Sequence, residues 1–133
     1  MALFEYGDFI SHSGKTLPFK IECAALSCQD LYCLAQIGYK LAKAAMLPHT
    51  NFIGVPKGGM IFAVFLNRCA LAEGLYDKNS QCTVVDDVYT TGSSIRGYMK
   101  KYNSRNGLVI FSRTQFLPYG IESLFQLNRN VIL

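Results

Sequence analysis

The chain has 133 residues, half of them hydrophobic and 17% charged, with a formal net charge of +4. Such a length and composition describe one packed domain spanning 1–133, too short for two cores and too apolar for a disordered tail. The thirteen Lys and Arg form no block longer than Lys100-Lys101, which excludes a nucleic-acid stripe, and no apolar run reaches the length of a membrane span.

The N-terminus, MALFEYGDFI, carries acidic residues where a secretory signal carries basic ones, so a cytoplasmic location is expected. Ser27 reads as a helix cap, with Asp30 three residues on. Leu31, Leu34, Ala35, Ile37, Gly38, Leu41 and Ala42 then keep a helical period up to Met46, and Pro48 stops it. Residues 51–55 are a short apolar strand that runs into the turn Pro56-Lys57-Gly58-Gly59, and helical character resumes over 60–72. A strand over 81–85, a turn over 86–94, a helix over 93–102, a buried strand over 107–112 and a last strand over 121–127 complete the chain. Cys23, Cys28, Cys33, Cys69 and Cys82 show no CxxC spacing and read as small reduced residues in or near the core.

Strands alternating with helices across short loops predict an α/β fold, an open and mostly parallel sheet flanked by helices. In such sheets ligands bind beyond the carboxyl ends of the strands, and both unusual turns fall at that edge. In the second turn, Thr90, Thr91, Gly92, Ser93 and Ser94 open a helix. They offer free backbone N–H groups, hydroxyls and a close-approach glycine beside a positive helix end, which together form a phosphate cradle. The lysine and spacing of a P-loop are missing, so a triphosphate fits poorly. Asp86 and Asp87, just upstream, would repel a second phosphate but suit vicinal hydroxyls or a divalent cation. One monophosphate followed by a diol describes a ribose 5-phosphate.

The run VVDDVYTTGSS resembles the phosphoribosyl diphosphate (PRPP) binding motif of the type I phosphoribosyltransferases. The resemblance implies that family's fold in truncated form and a PRPP site made of Asp86, Asp87, Val88, Tyr89, Thr90, Thr91, Gly92, Ser93 and Ser94. In the family a turn after an earlier strand holds the pyrophosphate through backbone amides, often with an unusual peptide geometry. Lys57, Gly58 and Gly59 are similar to the form of that turn in orotate phosphoribosyltransferases, and Lys57 would stabilise the departing charge. The segment from Gly7 to Lys15, followed by Pro18-Phe19, is similar to the hood of the orotate enzymes, which makes 1–26 a hood and base-side segment and 27–133 the core. Lys15, Phe19 and Arg113 are then the expected base-binding residues, with Arg113 suited to the two parallel hydrogen bonds of an orotate carboxylate. Leu17, Lys20 and Ser112 depart from the family pattern at these looser matches. His12 reads as a surface histidine.

The resemblance further implies Mg2+ carried by PRPP without direct protein ligands, and a homodimer. It breaks at one place. The orotate enzymes follow the second helix with another strand and a mobile lid, whereas here only LYDKNS lies between Gly74 and Gln81. Without a lid, the sugar cation that forms in the transfer is open to water. Arg68, Lys78 and Arg105 are the nearby cations that could substitute. The expected activity is transfer of ribose 5-phosphate from PRPP to a nitrogenous base, orotate or another pyrimidine first. A PRPP-binding sensor without turnover is the alternative, and a phosphatase using the two aspartates ranks last.

Overall fold

The computed structural model describes residues 2–10 and 16–127. β1 (Phe4–Ile10) and β2 (Thr16–Ile21) pair as an antiparallel hairpin whose register slips between Tyr6 and Phe9. A single 3-10 turn then leads to α1 (Cys28–Ala44). Ser27 and Asp30 cap that helix reciprocally: the Asp30 N–H donates to Ser27 Oγ (3.0 Å) and the Ser27 N–H to Asp30 Oδ2 (2.9 Å).

The helix stops two residues before the predicted Met46. Met46 adopts a left-handed φ of 61°, its N–H donates to the Lys43 carbonyl, and the Leu47 N–H reaches back to Ala42. That pair of bonds is a Schellman ending, which satisfies the last carbonyls without waiting for Pro48. The same pattern ends α2 (Met60–Ala72) at Gly74 and α3 (Ser93–Lys101) at Asn103.

Four parallel strands form the main sheet in the order β3 (Phe52–Gly54), β4 (Thr83–Tyr89), β5 (Gly107–Ser112) and β6 (Ile121–Gln126). Side chains alternate between its faces, and both faces are covered. Val85, Leu108 and Ile110 pack with Tyr39, Phe62 and Leu66 of α1 and α2, whereas Val84, Val109 and Ile121 pack with Ile95 of α3. The predicted α/β architecture is therefore the observed one.

β4 is longer than predicted and carries Asp86 to Tyr89, which the sequence placed in a turn. Val88 and Tyr89 pair with Phe111 and Ser112 of β5, and this ladder holds the backbone extended past the aspartates. The link from α2 to β4, residues 73–82, contains no strand. β3 is left as the sheet's edge, and Asn67 of α2 closes it. Its side-chain Oδ1 accepts the Phe52 N–H (2.8 Å) and its Nδ2 donates to the Phe52 carbonyl (2.9 Å), as a neighbouring strand would.

Candidate functional site

The carboxyl ends of β3, β4 and β5 bring the two sequence-predicted turns together. After β3 the chain turns over residues 56–59, and the Pro56–Lys57 peptide is cis, the kind of unusual geometry the family resemblance implied for this turn. Val55 N–H donates to the Val85 carbonyl (2.8 Å) and Gly59 N–H to that of Val55 (2.9 Å), which pins the turn to β4. The N–H groups of Lys57 and Gly58 donate to no other described residue. Lys57 and Gly58 are exposed, so two amides and an ammonium face outward at one spot.

Glycine is required here by contact. A Cβ on Gly58 would overlap the Asp87 carboxylate, and one on Gly59 would overlap the Val85 carbonyl. The first turn thus lies directly on the acidic pair. Asp86 is buried at 7% exposure, and its Oδ1 accepts the Asp87 N–H (2.8 Å); Asp87 Oδ1 in turn accepts the Val88 N–H (2.7 Å). Burial, with the adjacent Asp87 carboxylate adding to it, pushes the Asp86 carboxyl up to about 8. Cys23, at the base of the hairpin, is close enough that its thiol is raised well above the usual range, by burial first and then by Asp87, Glu22 and Asp86.

Thr90 to Gly92 connect β4 to α3, whose first residues are Ser93 and Ser94, and the backbone N–H groups of Thr90 to Ser94 donate to no other described residue. Gly92 has φ +81° and lies against the Tyr89 ring, so Tyr89 supports the loop from its buried side. Of the predicted PRPP-binding residues, Val88 and Tyr89 are thus strand residues, and the loop proper begins at Thr90. Arg96, which the sequence reading passed over, donates from Nε to the Gly92 carbonyl (3.2 Å) and from Nη2 to that of Thr91 (2.9 Å). It ties down the carbonyl side of the loop and leaves the amide side available. The signal for it was its position four residues after Gly92, on the first turn of α3.

Arg113 follows β5 directly, and its N–H donates to the Tyr89 carbonyl (3.0 Å), which sets it at the same edge. Burial pulls its guanidinium below the usual value. Lys15 lies outside the described residues, as does the side chain of Phe19, whose backbone belongs to β2. Among the described residues no three His, Cys, Asp or Glu gather as a metal site.

A parallel four-stranded sheet flanked by helices, with an acidic pair inside its second strand and a glycine-hydroxyl loop opening the helix that follows, matches the type I phosphoribosyltransferase fold. Solved structures agree. The chain is similar to UMP synthase from Leishmania donovani (TM-score 0.76, 17% identity, 94% of this chain covered) and spans 34% of that protein's length. It is also similar to orotate phosphoribosyltransferase from Aeropyrum pernix, with a TM-score of 0.73 and 20% identity over 98% of this chain and 90% of that one. The xanthine-guanine-hypoxanthine phosphoribosyltransferase of Helicobacter pylori aligns less fully (TM-score 0.56, 14% identity, 77% of this chain and 83% of that one). At these identities the likeness is one of fold. The sequence matches no family model and no curated protein.

Proposed function

We propose that the chain is a cytoplasmic phosphoribosyltransferase that moves ribose 5-phosphate from PRPP to a ring nitrogen of a base, orotate or another pyrimidine. The observation that carries this reading is the seating of Gly58 against the Asp87 carboxylate. It brings a pyrophosphate turn and a diol-binding carboxylate into contact, as a single 1-pyrophosphorylated sugar requires.

In the transfer, the base nitrogen forms a bond to the anomeric carbon as the carbon–oxygen bond to pyrophosphate breaks with both electrons, and the proton that nitrogen carried passes to the departing pyrophosphate. The N–H groups of Lys57 and Gly58 and the Lys57 ammonium receive the charge that builds on the leaving oxygen. Asp86 and Asp87 accept the two ribose hydroxyls and face the positive charge that develops on the sugar. Thr90 to Ser94 hold the 5-phosphate on the amino end of α3. Lys15, Phe19 and Arg113 orient the base. Magnesium, when bound, neutralises pyrophosphate oxygens. A homodimer suits this reading, because Met60, Ile61, Val64 and Leu71 leave α2 with an apolar outer face.

The assay is release of pyrophosphate and formation of nucleotide from labelled PRPP with orotate, then uracil, purines and nicotinamide. The absence of product with every base would refute the proposal. A second reading, a PRPP sensor without turnover, is favoured by the link 73–82, which supplies no lid. That reading predicts stabilisation by PRPP in a melting experiment with no product.

A further inference from the structure

At the amino ends of β4 and β5, opposite the edge just described, lies a groove of about 790 Å³. The stretch 78–82 entering β4 and the link 102–106 from α3 to β5 line it, together with Asn51 and Ile53 at the edge strand. The shortened connection after α2 thus builds part of it.

The walls are held in place by their own bonds. The Ser104 hydroxyl lies 2.7 Å from the Cys82 carbonyl and 3.0 Å from that of Asn106, bridging one wall to the other. Asn51 Nδ2 donates to the Lys78 carbonyl (3.3 Å), and the hydroxyls of Thr50 and Ser80 meet at 2.6 Å. A groove whose walls are tied in this way is pre-formed, and its volume is that of a small-molecule site.

Its chemistry is one-sided. Lys78 and Arg105 line it, and no acidic side chain does. The side-chain amides of Asn79, Gln81, Asn103 and Asn106 make no hydrogen bond to another described residue, so each offers a donor and an acceptor. Tyr102 presents a half-exposed ring, backed by Tyr98 at a centroid distance of 5.9 Å. A hard divalent cation would find no carboxylate here.

We propose that this groove binds a nucleoside monophosphate, with Lys78 and Arg105 pairing to the phosphate, the free amides meeting the base edge and the Tyr102 ring lying against its face. The site is separate from the PRPP turns and does not rest on the function assigned to them.

The test is calorimetric titration of UMP into the full chain carrying Asp86→Asn and Asp87→Asn, which disables the turn site. One UMP is expected to bind per chain, with inorganic phosphate at least tenfold weaker. Adding Lys78→Ala and Arg105→Ala should weaken UMP at least tenfold. Both side chains are exposed, so the fold should persist, and amide NMR provides a second readout, with UMP moving the signals of Gln81 and Asn106 and not those of Thr90 to Ser94. No binding in the double-aspartate variant, affinity unchanged by removing the two cations, or phosphate as tight as UMP would overturn the proposal.

Discussion

Asp86→Asn should make the protein more stable and the proposed PRPP site worse. The Asp86 carboxyl is buried beside a second carboxylate and is held at about 8, whereas in the unfolded chain it ionises near 3.8. The folded state therefore keeps a proton that the unfolded state releases between those values. Stability is full below about pH 4 and falls as the pH rises toward about 8. At about 1.4 kcal/mol per unit the full window would be roughly 6 kcal/mol, and relaxation of protein and solvent around the partly buried pair reduces the expected effect to roughly 2–4 kcal/mol. Asparagine is the neutral equivalent: its carbonyl can still accept the Asp87 N–H, and its amide can donate to the Asp87 carboxylate. At pH 8 the variant should melt roughly 6–10 °C above the parent, and its melting temperature should vary less from pH 4 to pH 8. The same change puts an amide donor where a carboxyl oxygen would accept a ribose hydroxyl in the proposed site and should cost about 10–100-fold in PRPP affinity. Thermal unfolding over that pH range, paired with calorimetry at pH 7.5, reads both effects. A variant no more stable than the parent at pH 8, with the same slope, would refute the electrostatic account of the pair.

Three other substitutions test the site and its support. Gly58→Ala would push a methyl group into the Asp87 carboxylate and should lower PRPP affinity at least tenfold while leaving the melting temperature nearly unchanged, because the turn is exposed; unaltered affinity would show that turn and carboxylate do not act together. In Gly92→Ala the left-handed φ of +81° alone costs about 1–2 kcal/mol, before the clash with the Tyr89 ring, so urea midpoints should fall clearly, and an unmoved midpoint would contradict the geometry of the phosphate loop. Asn67→Ala strips both bonds from Phe52 at the sheet edge, with an expected loss of about 1–3 kcal/mol and a rise in light scattering as the edge finds other strands; a change under about 0.5 kcal/mol would mean that Asn67 is not the cap described.

Local signals in the chain were enough for the three α-helices and for the four strands of the parallel sheet, though not for the β1–β2 hairpin. The reciprocal cap at Ser27 and Asp30 and the unbroken apolar runs at 84–85 and 107–111 act between residues close in sequence, and they survive into the structure as read. The two glycine-bearing turns were legible as turns at the carboxyl edge for the same reason, since their glycines and hydroxyls follow an apolar strand directly. What neighbours across the sheet decide was not legible. The aspartates sit inside β4 because β5 pairs with the residues beyond them; Asp86 holds its proton because packing buries it beside Asp87; Asn67 guards β3 because the link after α2 adds no strand; and the groove at the amino edge exists because two links far apart in sequence are tied by Ser104. Burial and pairing between distant segments are properties of the assembled sheet, and a pattern read along one strand carries no record of its neighbour.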